Sequence, residues 1–131
     1  MQKEFEKFLN SSWELEIRQK DKIIFRSKKS GVRGLLDFVN KPGKRRYKDL
    51  VIFDKIVGRG AALLAIYSKA KIVYGALGSE SAANVLKEYK IEFYFQENCA
   101  NILNRDKSDL CPIEKLSLSK NSEEFLNCFK E

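Results

Sequence analysis

The stretch from Asp49 to Gly78, "DLVIFDKIVGRGAALLAIYSKAKIVYGALG", contains the pattern that decides the fold. Its first part, Leu50 to Phe53, is a continuous apolar run of the kind found in a strand buried on both faces. A segment rich in small residues follows from Gly58 and predicts a helix that packs closely on a sheet. "KIVYGALG" then predicts a second buried strand. A strand, a helix and a strand in this order predict two parallel strands joined by a crossover helix.

The flanking segments extend this unit into a mixed sheet. After it, "SESAANVLKEY" predicts a helix, "IEFYFQ" a strand, and "CPIEKLSLSK" and "SEEFLNCFK" two last helices. Before it, Phe5 and Phe8 indicate a helix within residues 1–12, "WELEIRQKDKIIFRS" predicts a hairpin, and "VRGLLDFVN" predicts a helix. We therefore predict an α/β fold, a three-layer α/β/α sandwich with a mixed five-stranded sheet and an N-terminal β-hairpin. It forms one domain over residues 1–131, with the last helix at 121–131.

Composition predicts a cytoplasmic protein. Hydrophobic residues make up 44% and charged residues 33% of the 131 residues, and no apolar run approaches the roughly 20 residues of a membrane-spanning helix. The N-terminus is charged and amphipathic, without the apolar core of a signal peptide. Three cysteines, Cys99, Cys111 and Cys128, are odd in number and widely spaced, which favours reduced thiols over a disulfide framework. We expect no membrane partner.

The sequence contains no histidine, and this excludes several classes of catalytic site within the chain. Histidine is the commonest metal ligand and the usual general base near neutral pH. Triads that depend on histidine and zinc sites with two histidines are therefore excluded. Any catalysis must use Asp, Glu, Lys, Tyr, Cys or backbone groups.

The net charge of +7 is most concentrated in "KPGKRRYK", which extends from Lys41 to Lys48 and is called the basic loop below. Such a run attracts anions, so nucleic acid is one candidate partner. Pro42 and Gly43 favour a solvated turn instead. Neither an aromatic stacking pattern nor a helix-turn-helix signature accompanies the run. We prefer the solvated loop and keep nucleic-acid binding as an alternative.

The first candidate ligand-binding segment follows the first buried strand. In an open α/β sheet, ligands bind beyond the carboxyl ends of the strands. We expect Asp54 and Lys55 to end this strand, and Gly58 and Gly60 lie where the next helix offers free N–H groups. We expect these four residues to bind a small molecule. The Gly-x-Gly spacing fits tight helix-on-sheet packing equally well, and it lacks the full dinucleotide or P-loop pattern.

The second candidate segment is "NRDKSDLCPIEK", residues 104–115. Asn104, Arg105 and Asp106 can bind polar groups through charge-assisted hydrogen bonds. Cys111 lies at or just before a helix N-terminus, where the pKa of a thiol is commonly depressed. In the alternative interpretation the segment is a capping loop, in which aspartates cap the helix and Cys111 packs as a small apolar residue. Both interpretations remain open.

Three motifs, "GVRGLLDF", "DKIVGRGAALL" and "NRDKSDLCPIEK", together resemble a small, functionally uncharacterised prokaryotic DUF family with the cytidine-deaminase-like fold. The resemblance covers most of the chain, from Trp13 to Lys120, in the family's order. It implies a mixed five-stranded sheet with helices on both sides.

The resemblance also implies where a zinc site would lie. Zinc deaminases of this fold place His/Cys-x-Glu at the start of one helix and Pro-Cys-x-x-Cys at the start of a later one. Here "VGRGAALL" occupies the first position without His or Glu, and in "LCPIE" Cys111 matches the first cysteine while Glu114 replaces the second. Catalytic zinc takes about three protein ligands. We therefore expect neither a metal site, nor a cofactor, nor ordinary zinc deamination.

Three functions follow as hypotheses. The first is a deaminase-fold domain without zinc that binds a small anionic or nucleotide-like ligand, such as a phosphorylated metabolite, through the two candidate segments. The second is an enzyme that uses Cys111 as a thiolate, with Asp54, Lys55 or Asp106 assisting proton transfer. The third is nucleic-acid binding through the basic loop. The sequence leaves open whether a reaction is catalysed and whether the chain forms a homo-oligomer.

Overall fold

The computed structural model describes residues 2–41, 47–104 and 106–129 of the chain. Among these residues it contains six helices and five strands. In chain order the elements are α1 (Gln2–Leu9), β1 (Leu15–Gln19), β2 (Lys22–Ser27), α2 (Arg33–Val39), β3 (Leu50–Val57), α3 (Arg59–Tyr67), β4 (Ala70–Ser79), α4 (Glu80–Glu88), β5 (Glu92–Cys99), α5 (Pro112–Ser117) and α6 (Ser122–Asn127). None of these helices is long and apolar enough to span a bilayer.

All five strands belong to one sheet, in the order β2-β1-β3-β4-β5. β1 pairs antiparallel with both β2 and β3, whereas β3, β4 and β5 are parallel. The predicted α/β class and mixed five-stranded sheet are therefore confirmed, with the hairpin at one edge. The three parallel strands end at Val57, Ser79 and Cys99, and we call this side of the sheet the carboxyl edge.

β3 lies at the centre of the sheet and is longer than its apolar run. Leu50 and Phe53 are fully buried, as the run predicts. The strand does not end at Asp54, however, because the residues that follow it keep pairing with β4 as far as Val57 and Gly78. The sequence-based expectation that Asp54 ends the strand is thus corrected, and Asp54 lies inside the sheet.

Helices cover the two faces of the sheet unequally. α2 to α6 contribute to a large core on one face, with the small-residue helix α3 at its centre. On the other face, a smaller core consists of Phe5 and Phe8 from α1 against Val51 and Phe53 from β3. The rings of Phe5 and Phe53 meet edge to face, with centroids 5.3 Å apart. The second face therefore carries α1 alone among the described helices.

Candidate functional site

Three hollows adjoin one another at the carboxyl edge. The loop hollow, of about 530 Å³, is lined by Leu103, Asn104, Asp106, Cys111 and Pro112. The outer hollow, of about 380 Å³, has walls that include Ile56, Leu77, Cys99, Asn101, Ile102 and Lys107. The inner chamber, of about 50 Å³, has walls that include Val32, Ile56, Ala61, Cys111, Ile113 and Glu114. Ile56 and Ile102 border both the outer hollow and the inner chamber, so these two spaces are adjacent.

Glu114 closes the N-terminus of α3. Its side chain is buried, and its two oxygens accept hydrogen bonds from the backbone N–H groups of Arg59 at 3.0 Å and Gly60 at 3.2 Å. The guanidinium of Arg59 in turn donates to the carbonyl oxygens of Ser117 and Lys120, at 3.1 and 3.0 Å. The first turn of α3 and the segment that contains α5 therefore hold each other in place. A negative charge at this position also complements the dipole of α3.

The two glycines at the start of α3 make room for neighbouring side chains. A Cβ on Gly58 would lie 2.2 Å from Oε1 of Glu114, and a Cβ on Gly60 would lie 2.8 Å from the ring of Phe125. The N–H groups that were expected to hold a ligand anion bind the carboxylate of Glu114 instead. Of the two interpretations of Gly58 and Gly60, these contacts favour tight packing, here between α3 and the C-terminal helices.

Lys55 lies away from the hollows. Its ammonium donates to the carbonyl oxygen of Ser11 at 2.9 Å and lies 4.8 Å from the centre of the Phe8 ring. Both contacts are on the face of the sheet that α1 covers. Lys55 thus stabilises the docking of α1, and its predicted role as a ligand-binding residue is revised.

Asp54 is buried between two neighbouring strands, in register with Leu15 on β1 and Gly75 on β4. Oδ1 accepts a hydrogen bond from the N–H of Ile56 at 3.3 Å. Burial raises the pKa of Asp54 to about 8, against the lowering effect of that hydrogen bond. Asp54 lines none of the three hollows, so the structure separates it from the ligand site that the sequence suggested.

Asn104 and Asp106 organise their own loop. Oδ1 of Asn104 accepts the N–H groups of Ser108 and Asp109, at 3.1 and 3.4 Å. Oδ1 of Asp106 accepts both the N–H and the hydroxyl of Ser108, at 3.0 and 2.6 Å, and the bond to the hydroxyl is the main reason that the pKa of Asp106 is lowered. These contacts lie within the loop itself. Cys111, the N-cap residue of α5, has no side-chain cap hydrogen bond among the described residues, so the capping of this helix by an aspartate is not found there. Asn104 nevertheless lines two of the hollows, and Asp106 lines one.

Two of the sequence-based predictions fall wholly or partly outside the described residues. Arg105 lies outside them, and so do residues 42–46 of the basic loop. Of the rest of that loop, the ammonium of Lys41 lies 5.7 Å from the centre of the Phe25 ring, and the ring of Tyr47 stacks on Phe38. Nucleic-acid binding through this loop stays a prediction.

The cysteines differ in their surroundings. Cys111 precedes α5 as its N-cap residue, is half-buried, and its N–H donates to the carbonyl oxygen of Ile102 at 2.9 Å. Cys99 is the last residue of β5. Burial, and to a lesser degree the negative charge of Glu114, raise the pKa of the Cys99 thiol.

Comparison with known proteins identifies the family. Residues 5–131 match the family described as a domain of unknown function, DUF1893 (TM1506). The chain belongs to the DUF1893 family. A crystal structure of a DUF1893 family protein (TM1506) from Thermotoga maritima is similar over 97% of this chain and 85% of that one, with a TM-score of 0.84 and 25% sequence identity. No curated protein matches the chain.

The resemblance to an uncharacterised DUF family is thereby confirmed, and the similar structure supports the same arrangement of strands and helices. The DUF1893 description carries no activity. Any function of this edge must therefore be argued from the residues that line it.

The carboxyl edge of this DUF1893 chain does not fit the zinc ion of a deaminase. Of the positions that the resemblance singles out, only Cys111 and Glu114 offer ligand atoms, and both oxygens of Glu114 already accept amide hydrogens. Within the described ranges, no three His, Cys, Asp or Glu side chains are grouped so that they could hold a metal. A catalytic zinc takes three protein ligands.

Sequence reasoning missed most of the residues that line the outer hollow. Asn101, Ile102 and Lys107 follow β5, the third parallel strand, and Ile56 lies in the unpredicted last part of β3. The signal was available, because the rule that points to the carboxyl ends of strands applies to β5 as well as to β3. The "ANILNR" segment directly after that strand was the place to look.

Proposed function

We propose that this DUF1893 chain is a cytidine-deaminase-like domain without a zinc site, which binds a small nucleotide-like ligand in the outer hollow. The observation that carries the proposal is a cavity of about 380 Å³ at the carboxyl edge of the parallel strands. Small-molecule sites commonly have volumes of about 300–1,000 Å³ and occur at this edge of α/β sheets. The mixed sheet with helices on both faces is compatible with the proposed fold.

The chemistry of the lining supports a planar ligand with a polar side. Leu77 and Ile102 offer apolar walls, and Ile56, whose exposed fraction is 46%, leaves an apolar surface for a ring to cover. The side-chain amide of Asn101 makes no hydrogen bond within the described part of the chain, so it is free to bind a ligand. Lys107 brings a positive charge to the same hollow and would attract a phosphate.

A thermal-shift panel tests the proposal. We expect nucleosides or nucleoside monophosphates to raise the melting temperature, because a ligand that binds only the folded state stabilises it by mass action. Ile56→Trp should fill part of the outer hollow, which Ile56 lines, and abolish the shift. Leu118→Trp is the matched control, since Leu118 is equally exposed, at 48%, and lines none of the three hollows. A panel that leaves the melting temperature unchanged at millimolar ligand would contradict the proposal.

Cys111 supports a second candidate function, a thiol-dependent enzyme, because it lines both the inner chamber and the loop hollow. We expect iodoacetamide near neutral pH to modify Cys111 faster than Cys99, whose raised pKa leaves less thiolate. Mass spectrometry of peptides measures both rates, with the exposed Cys128 as a reference in the same sample. If Cys111 reacts no faster than Cys128, this result would contradict a thiol-dependent enzyme.

A further inference from the structure

Glu114 keeps unused acceptor capacity inside the protein. A carboxylate accepts about four hydrogen bonds, two at each oxygen. Oε2 accepts the N–H of Arg59, and Oε1 accepts the N–H of Gly60. Within the described residues no third donor bonds to Glu114, although the residue is only 7% exposed. Part of a buried charged acceptor is therefore without a donor from the protein.

Glu114 borders a mostly apolar space. Glu114 lines the inner chamber together with Val32, Ala61 and Ile113, and the volume of about 50 Å³ fits the edge of one ring with a small substituent. Buried polar groups of proteins are normally paired. A ligand group that donates a hydrogen bond would satisfy Glu114 there. A carbonyl oxygen at the same place would meet the carboxylate as a second acceptor and would be disfavoured.

The adjacency of the two spaces gives the ligand a direction. Because Ile56 and Ile102 border both, a ring bound in the outer hollow would have to pass these two side chains to bring its edge to Glu114. Lys107 lines the outer hollow but not the inner chamber, so an anionic substituent is attracted to the outer space and repelled from the carboxylate. The amino edge would point inwards and a phosphate outwards.

We propose that Glu114 is a specificity-determining residue, which selects nitrogen heterocycles that carry an amino group over the corresponding carbonyl compounds. The proposal rests on the proposed function and names the chemistry of the ligand for that same site. Sites built to bond a donor group reject analogues that lack it, because the buried partner is left unpaired.

Matched pairs of nucleosides test the selection. Isothermal titration of the full chain with adenosine against inosine, and with cytidine against uridine, compares an exocyclic amino group with an exocyclic carbonyl group. The ring N–H beside that carbonyl, at N1 of inosine and N3 of uridine, is a donor on the ring and not on the substituent that would enter the inner chamber. We expect the amino member of each pair to bind at least tenfold more tightly. N4,N4-dimethylcytidine, which has lost the N–H donors, should bind as weakly as uridine. This probe tests the proposal without any change to the protein.

Two variants identify the residue responsible. Glu114→Gln keeps the shape of the side chain but replaces one of the two oxygens that accept the N–H groups of Arg59 and Gly60. The new amide group offers a donor to a carbonyl, so we expect the affinity ratio within each pair to fall to about one. Lys107→Gln is the control, which should weaken nucleoside monophosphates while leaving the ratio between amino and carbonyl nucleosides unchanged. Circular dichroism verifies that each variant is folded. If Glu114→Gln is unfolded, the comparison of cytidine with N4,N4-dimethylcytidine on the wild-type chain is the test instead.

The outcomes separate this inference from the proposed function. Equal affinity within both pairs, with binding still abolished by Ile56→Trp, would overturn the role of Glu114 and leave ligand binding in the outer hollow intact. The absence of binding by all the nucleosides and by their monophosphates would overturn both. A preference for the amino members that survives in a folded Glu114→Gln variant would assign the selection to another residue and so contradict the proposal.

Discussion

Asp54 couples the stability of the fold to pH. Because its pKa is raised to about 8 in the folded chain, the folded state keeps a proton that the unfolded state, with a pKa of about 4, loses on the way from pH 4 to pH 8. Its contribution is therefore fully present below pH 4 and lost as the pH rises to about 8. Over this window the free energy of unfolding should fall by up to about 1.4 kcal/mol for each pH unit.

The comparison of wild type with Asp54→Asn isolates this effect. The asparagine of the variant cannot ionise. The free energy of unfolding of the variant, relative to that of wild type, should therefore increase from pH 5 to pH 8 and stay constant above pH 8. Urea unfolding at several pH values measures this difference. Asp37→Asn is a matched control, because the side chain of Asp37 is 47% exposed. A difference between wild type and Asp54→Asn that does not change with pH would show that Asp54 is ionised in the folded protein throughout.

The neighbouring residue shows which part of the site was predictable. Successive side chains of a strand point to opposite faces, so Asp54 and Lys55 could share one cleft only if the strand ended before them. The apolar run from Leu50 to Phe53 suggested that end. The pairing of β3 with β4 as far as Val57 sends the ammonium of Lys55 to α1 instead. This pairing depends on a partner strand, which a local pattern does not contain.

At the scale of elements, the contact between α3 and α5 can be tested by substitutions at Glu114 and Gly58. Glu114→Ala removes two charge-assisted hydrogen bonds and leaves the N–H groups of Arg59 and Gly60 without their partner, which should cost about 2–3 kcal/mol. Gly58→Ala brings a Cβ to 2.2 Å from Oε1 and should displace the same carboxylate. A comparable loss of about 1–3 kcal/mol is expected from such overpacking.

The double variant, Gly58→Ala with Glu114→Ala, should lose less than the sum of the two single losses. The clash disappears when Glu114 is truncated, so we expect a coupling of about 1–2 kcal/mol in urea unfolding, within the range seen for residues in contact. Glu123→Ala, at an exposed position in the first turn of α6, is the control and should change stability by less than about 0.5 kcal/mol. Losses that add up would mean that Gly58 and Glu114 do not touch.

The elements themselves were predictable where the local pattern is strong. The apolar run of β3, the small-residue helix α3 and the alternating hairpin all form where the sequence predicted them. The hydrogen bond between Arg59 and Glu114 was not predictable, because it joins residues that are 55 positions apart in the chain. Gly58, Gly60 and Pro112 mark the two helix starts in the sequence, but nothing local indicates that one helix caps the other.

At the scale of the molecule, the two faces of the sheet differ in what holds them. The face covered by α2 to α6 has a core built from these five helices, whereas the face covered by α1 depends on two aromatic residues of that helix. Phe5 is 1% exposed and contacts Phe53 and Tyr74, with ring centroids 5.3 and 5.2 Å away. A single substitution in α1 should therefore disrupt the packing on this face.

Phe5→Ala should lower the free energy of unfolding by about 3–5 kcal/mol, the usual cost of truncating a buried phenylalanine. A domain of this size has a total of about 5–15 kcal/mol, so the variant should remain folded but with a much lower midpoint in urea. Glu6→Ala, on the exposed side of the same helix, controls for helix propensity and should leave the midpoint unchanged. Ligand affinity in the outer hollow should stay the same in folded Phe5→Ala, because α1 covers the opposite face of the sheet. A loss of stability below about 1 kcal/mol would mean that α1 detaches from the sheet at little cost.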